Sequence, residues 1–509
     1  MCSRRAGSCC RAAGAAMNSR TFPTQARVVI IGGGVIGCSV AYHLSKLGWT
    51  DVVLLERKQL TSGTTWHAAG LLTTLRDTET QTRLAKYTQD LYRRLEAETG
   101  QATGLIGCGS IQLAMTADKA HEMRRGINMA QSFGVEAHEI SASDVKALWP
   151  LAEVGDLAAA FHFPNDARAN PTDVTQALAR GARQGGVQIF EHTRVTGVIC
   201  EDGAVAGVQT DQGDIRAEFV VNCAGMWARE VGRLAGVNVP LQAAEHYYLI
   251  SEPVPGVHPL LPILRDPGNC AYLREEAGKV MVGLFEPMGE PWGINGIPED
   301  FSFGEIPPNW ERMYPVIEKA MQRVPCLLQT GIKLLFCGPE SFTPDHNYLM
   351  GEAPNLRRFF VAAGFNSLGI LSGGGVGYVM AEWLVNGRPP MDVWSVNLRR
   401  MHAWQNNRTY LSIARVRRSA SATRIIGRSG SGALRAASGK AFCTTAWPAR
   451  APALESRRAG NAQTGTRRPA RRLNTGTVGS GKTGSLTMQG NTVRCVSRWE
   501  SLNNPRSLN

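Results

Sequence analysis

Apolar residues along this chain recur in three patterns. The first is the short unbroken run: 28–31 (Val-Val-Ile-Ile), 52–55, 219–225 and 359–363. Such runs, rich in β-branched and aromatic residues, predict strands buried on both faces of a parallel sheet. The second is helical spacing. Val40, Leu44 and Leu47 share one side of a helix over 39–47, and Leu84, Tyr87, Leu91 and Leu95 share one side of a helix over 79–99. Further helices are predicted over 117–133, 141–148 with Ser141 or Ser143 as N-cap, 170–185 with Pro171 in its first turn, 310–324 and 376–385. The third is alternation. Residues 241–251 (LQAAEHYYLIS), with 262–273 and 279–283, predict an antiparallel sheet. Shorter strands are expected at 107–114, 187–190, 195–200, 204–210, 215–217 and 331–337, with a tight turn at Asp202-Gly203.

The first run leads directly into Gly32, Gly34 and Gly37 in G-x-G-x-x-G spacing, then a helix, then a second strand ending in Glu56. In this context each residue has a physical task. Gly32 permits a tight turn, Gly34 lets the backbone approach a pyrophosphate, and Gly37 lets helix pack closely on strand. The helix N-terminus presents free N–H groups and a positive dipole end to phosphate. Glu56 is placed for ribose hydroxyls, which favours NAD or FAD over a cofactor with a 2′-phosphate.

Length, at 509 residues, suggests two or three domains. The net charge of +13 is uneven. Residues 412–509 hold 18 of the 55 Lys and Arg against two acids, so the remainder is mildly acidic and asks for no nucleic-acid partner. That basic segment has few apolar runs and reads as disordered. Its G-x-x-x-x-G-K-T match at 476–483 lacks the flanking strand and helix that a phosphate loop needs. Residues 1–26 contain arginine, serine and alanine without an acid, which suits a mitochondrial transit segment; the alternative is a true start at Met17. The twelve cysteines show no C-x-x-C and no metal-ligand spacing, as in a reduced, non-secreted protein without a metal site. No apolar run is long enough for a membrane span.

After Glu56 comes QLTSGTTWHAAGLL (59–72). Its small polar residues, Thr64 among them, suit a loop against phosphate and ribose, and Ala68, Ala69 and Gly70 let backbone pass close to a planar ring. Together with VVIIGGGVIGCSVAYHL, LEAETG (95–100), VVNCAGMWAREVGRLAG (220–236), CGPESFTPDHNYLMGEAP (337–354) and GFNSLGILSGGGVG (364–377), this segment resembles the flavin domain of the sarcosine and dimethylglycine dehydrogenase family, in the wider glycine/D-amino-acid oxidase group. The resemblance covers about residues 25–411. It implies an α/β fold: a Rossmann-like FAD-binding domain interleaved, within 27–411, with an antiparallel-sheet substrate domain at about 240–340.

It also implies roles. His67, in W-H-x-A-G, would carry FAD covalently. Ala224 and Gly225 would lie near the adenosine half of FAD. Gly364, Gly369 and Gly374, before the helix 376–385, would form a second flavin contact. His246 and Tyr272 would face the substrate. Apart from the resemblance, the planar guanidinium of Arg265 or Arg274 suits pairing with a substrate carboxylate, a surface arginine being the favoured alternative for each alone. The implied reaction is oxidative demethylation of an N-methylated glycine, sarcosine or dimethylglycine, by hydride transfer to flavin N5, with oxygen or an electron-transfer flavoprotein as acceptor. The location would be the mitochondrial matrix in a eukaryote and the cytoplasm in a bacterium. The family continues into a folate-binding domain; 412–509 does not resemble one, and reads as a basic extension or a truncated or out-of-frame stretch. The rival is a non-catalytic regulatory protein, since EHYYL also resembles the regulatory subunit of pyruvate dehydrogenase phosphatase. The resemblance implies that this subunit lacks the flavin-linking histidine, so His67 favours an enzyme.

Overall fold

The computed structural model describes residues 21–286 and 289–411. The basic tail from residue 412, with its phosphate-loop look-alike, and the first 20 residues of the transit-like segment lie outside the described residues.

Two eight-stranded sheets organise the rest. In the first, the order is Leu349–Glu352, Phe359–Ala363, Gly213–Asn222, Gln25–Ile31, Val52–Leu55, Gln188–Phe190, with Val195–Glu201 and Ala204–Thr210 attached as a hairpin. The four inner pairings are parallel. Both faces are buried, as the unbroken apolar runs predict. Val28 and Ile30 pack with Leu44, Leu91, Leu178 and Val379 from four helices, Val35–Lys46, Glu79–Thr99, Pro171–Gln184 and Gly369–Asn386. Val29 and Ile31 pack the other way, with Val205, Val208 and Val220. The parallel order brings the carboxyl ends of four strands to one edge, where Gly32, Glu56, Cys223 and Gly364 follow. A crevice outside the carboxyl ends is where open α/β sheets bind ligands.

The hairpin turn uses Asp202 at φ 49° and Gly203 at φ 72°, both left-handed, as the dipeptide suggests. Two expectations change. The strands foreseen at 215–217 and 219–225 are one strand, Gly213–Asn222. The polar residues that interrupt the apolar run stay exposed and paired, Arg216 with Glu201 at 2.8 Å and Glu218 with Arg27 at 3.3 Å. The helix foreseen at 376–385 begins at Gly369, so the clustered glycines lie inside it. A Cβ at Gly375 would stand 2.4 Å from the Leu84 carbonyl oxygen, and one at Gly377 2.1 Å from Ser39 Oγ. These glycines let three helices touch.

The second sheet runs Ile332–Phe342, Gln242–Ser251, Lys279–Leu284, Ala271–Glu276, Ile263–Asp266, Ser110–Ala114, Ala159–Phe163, His138–Ile140. It recruits strands from before residue 164 as well as from the 240–340 segment. Alternation sorts its side chains. Tyr247, Leu249, Leu264, Leu273, Leu335 and Cys337 form one core with Met313 and Ile317 of the helix Trp310–Met321. Their neighbours His246, Tyr248, Arg265, Tyr272 and Phe336 point the opposite way, into a cavity.

Candidate active site

A cavity of about 520 Å³ lies between the carboxyl edge of the first sheet and the polar face of the second. Gly32, Gly34, Glu56, Thr64, His67, Ala224, Gly225, His246, Tyr272, Gly364 and Gly369 all line it. Gly37 and Gly374 do not. Gly37 sits beneath the turn, where a Cβ would come 2.0 Å from the Gly32 carbonyl oxygen, so its task is close packing. Gly374 lies inside the helix, against Thr88 and Leu91.

The glycine turn is built for close approach. Gly32 has φ 110°, and a Cβ there would be 2.5 Å from the Cys223 carbonyl oxygen. The helix Val35–Lys46 starts on the cavity with Gly34 as its N-cap. Glu56 accepts hydrogen bonds from the backbone N–H groups of Gly33 (2.8 Å) and Lys58 (2.9 Å), so it also braces the turn. Burial raises its pKa despite these donors. Val35 N–H donates to Thr65 Oγ1 at 3.2 Å, tying the 59–72 loop to the helix start. A later segment closes over this end. Arg57 donates to the carbonyls of Glu299 and Phe301 and lies 4.4 Å from the centre of the Trp227 ring, while Phe303 N–H donates to the Ser62 carbonyl at 2.8 Å.

At the other end, His67 sits among aromatic rings. Its imidazole is 5.3 Å from Phe336 and 5.4 Å from Trp66, and Phe336 stacks on Tyr248 at 4.7 Å. His67 Nε2 is buried without a hydrogen-bond partner. Burial, and then the nearby His246, push its pKa down to about 4, so the ring is neutral and keeps a lone pair.

The second sheet supplies the opposite wall. Tyr272 faces Gly283 across the strands, and a Cβ at Gly283 would fall 1.9 Å from the tyrosine Cζ. The ring therefore lies flat over the glycine, which fixes its position in the wall. Burial raises the Tyr272 pKa, so it is a neutral phenol. His246 and Tyr272 both pack on Phe285, at 5.5 and 5.6 Å.

The two arginines separate cleanly. Arg274 pairs with Glu276 at 2.5 Å and donates to the Glu275 carbonyl at 2.7 Å, and it does not line the cavity. Arg265 does line it, directly across the strand pair from Tyr272. Its guanidinium has no hydrogen bond or ion pair among the described residues. Burial, and next the positive charge of Arg76, push its pKa down to about 10, with Asp166 and Asp77 opposing. Arg76 also lines the cavity, and its Nε is buried without a partner. Sequence reasoning missed Arg76, Tyr248 and Phe336. The alternation that singled out His246 points to Tyr248 two residues on; nothing local distinguishes Arg76. Among the described residues no group of acids, histidines and cysteines could hold a metal ion, and no helix is long and apolar enough to cross a membrane.

The family model described as FAD dependent oxidoreductase matches residues 27–383. Human mitochondrial sarcosine dehydrogenase is 43% identical over 410 residues, covering 78% of this chain and 44% of that protein. The formaldehyde-forming 4-methylaminobutanoate oxidase of Paenarthrobacter nicotinovorans is 44% identical over 390 residues, covering 77% and 47%. The mouse mitochondrial pyruvate dehydrogenase phosphatase regulatory subunit is 40% identical over 398 residues, covering 77% and 45%. The chain thus spans about half the length of the curated relatives it matches.

Proposed function

Because the chain belongs to the FAD-dependent oxidoreductase family, we propose that it oxidises a small N-methylated amino acid, of the sarcosine or dimethylglycine type, to the demethylated amino acid and formaldehyde, with FAD linked to His67. The observation that carries this reading is His67 itself: a neutral imidazole that lines the cavity and whose Nε2 is buried and unpartnered. A buried nitrogen without a partner costs stability, on the order of 1–3 kcal/mol, and a covalent bond to the cofactor would relieve that cost.

The residues along the cavity suit FAD. The glycine turn and helix start would hold the pyrophosphate. Glu56 would meet the adenosine ribose, and Ala224 and Gly225 would leave room beside it. Gly364, Gly369 and the His67 loop would border the ring. When bound, FAD supplies two-electron oxidation, here of the N-methyl carbon. The residues around it handle the substrate. Arg265 and Arg76, two cationic groups without a counter-ion in contact, would take its carboxylate. Tyr272, held flat by Gly283, would orient the amine. His246 would accept the proton that the amine must lose, since an ammonium has no lone pair to assist departure of hydride. The mitochondrial matrix belongs to the same proposal for a eukaryotic source; the sarcosine dehydrogenase relative is named as mitochondrial.

The test is a visible spectrum of the purified protein before and after acid precipitation. Yellow colour in the pellet, lost to the supernatant in His67→Ala, is the expected result. A folded but colourless protein would remove the enzyme reading and leave the regulatory one that the phosphatase-subunit likeness supports.

A further inference from the structure

Behind the cavity wall stands a carboxylate that the proposed reaction has not yet used. Glu286 follows the strand Lys279–Leu284 and is 2% exposed. Its Oε2 is 3.8 Å from His246 Nδ1. That nitrogen is buried and makes no hydrogen bond, while the imidazole as a whole lines the cavity. Phe285, which precedes Glu286, packs on the imidazole at 5.5 Å and an interplanar angle of 43°.

We propose that Glu286 is a positioning residue that holds the proton of His246 on Nδ1 and so leaves the Nε2 lone pair facing the substrate. This rests on the amine-oxidation reading above. A neutral imidazole has one N–H and one lone pair, and an ionised carboxylate only accepts. A lone pair on Nδ1 would face the negative charge of Glu286; an N–H is attracted to it. The second-sheet geometry therefore selects one tautomer. Proton balance follows simply. The N–H bond of the substrate ammonium breaks, an Nε2–H bond forms on His246, and the amine lone pair is freed. The imidazolium that results is offset by Glu286. The groups around His246 are the neutral His67 on the 59–72 loop, whose pKa responds to His246, the neutral Tyr272 two strands away, Glu286, and Arg312 on the helix side, which also feels Glu286. Of these only Glu286 carries the sign that stabilises the protonated ring.

The test is nitrogen-detected NMR of the full-chain protein, flavin as isolated, with labelled histidine and His246 assigned by its loss in His246→Asn. The expected result is the Nδ1–H tautomer in the wild type. In Glu286→Leu the preference for Nδ1–H should be lost, with Glu286→Asp keeping part of it. An Nε2–H tautomer in the wild type, or an unchanged tautomer in Glu286→Leu, would overturn the proposal; the wild-type tautomer decides alone if the variant does not fold. Lack of methylamine oxidation with the Nδ1–H tautomer present would sink the functional reading and leave the dyad standing.

Discussion

Replacing Arg265 by leucine should weaken catalysis without weakening the fold. The folded protein keeps this guanidinium in a cavity, beside Arg76, with no group in contact to neutralise it. Its pKa falls from 12.5 to about 10, so holding the charge costs on the order of 3 kcal/mol. Leucine removes that cost and keeps most of the apolar stem, so the thermal midpoint of Arg265→Leu should match or exceed the wild type. A charged donor to a substrate carboxylate contributes about 1.5–3 kcal/mol. Its loss should lower kcat/KM for sarcosine-type substrates by about 10- to 150-fold, mostly through KM, because the carboxylate is bound alike before and during reaction. The control substrate is N-methylglycinamide, which has no carboxylate and should lose little. The assay is steady-state formaldehyde release beside differential scanning fluorimetry. The reasoning fails if the midpoint drops by several degrees, because Arg265 is then a structural residue, or if acid and amide suffer equally, because it then does not read the carboxylate.

Three further outcomes follow from the same geometry. Gly283→Ala should push the Tyr272 ring off its seat, since the new methyl would stand 1.9 Å from the tyrosine Cζ; turnover should fall about tenfold or more, with overpacking costing about 1–3 kcal/mol in urea unfolding and the circular dichroism retained. His43, buried, donating from Nδ1 to the Ser39 carbonyl and accepting at Nε2 from the Tyr87 hydroxyl, is pushed down to about 4 by burial, against 6.5 in the unfolded chain. The unfolded chain therefore binds the extra proton first, so this stability is complete above pH 6.5 and is lost as pH falls toward 4. Unfolding free energy at pH 5 should be about 2 kcal/mol lower than at pH 7 on account of this residue, and His43→Gln should flatten that slope. Asp266→Asn should cost about 3–5 kcal/mol, because Arg323, 1% exposed, would lose a carboxylate at 2.6 Å and keep only the half-exposed Asp156.

The fold was largely legible because its signals are local. Unbroken apolar runs marked the strands of the first sheet, and the structure buries both their faces. Thr78 and Gly100 bound the helix Glu79–Thr99 at the predicted ends, with Thr78 accepting from Gln81 N–H and Gly100 left-handed at φ 71°. Errors arose where a distant partner overrode local chemistry. Gly369, Gly373, Gly374 and Gly375 read as lying before the helix, as a flavin contact, whereas they lie inside it, although glycine weakens an isolated helix. In the fold, glycines of that helix are what allows it to lie against Leu84 and Ser39, and the close contact outweighs the propensity. The strand Ser110–Ala114 joins the second sheet by pairing with Ile263–Asp266, more than a hundred positions away, and brings Ala159–Phe163 in on its other side, which no window along the chain reports.

The site divides by the same rule. Residues of the glycine turn and its neighbouring loops come in motifs, because such a turn needs several special residues in sequence, and most of those singled out line the cavity, Gly37 and Gly374 excepted. Residues of the opposite wall come singly from different strands. His246 and Tyr272 were reached through resemblance; Arg265 was only one of two arginines on neighbouring strands. What separates Arg265 from Arg274 is a counter-ion: Glu276 stands 2.5 Å from Arg274 and nothing comparable reaches Arg265. Glu286 was invisible for a related reason. A glutamate just after a strand reads as a solvated end, and only the fold shows it 3.8 Å from an imidazole and almost wholly enclosed. Burying one charge beside a histidine and two more without partners opposes stability. Under the proposed function the bound molecules would supply the missing partners: an anion for the arginines, a proton donor for His246, and a covalent bond for His67.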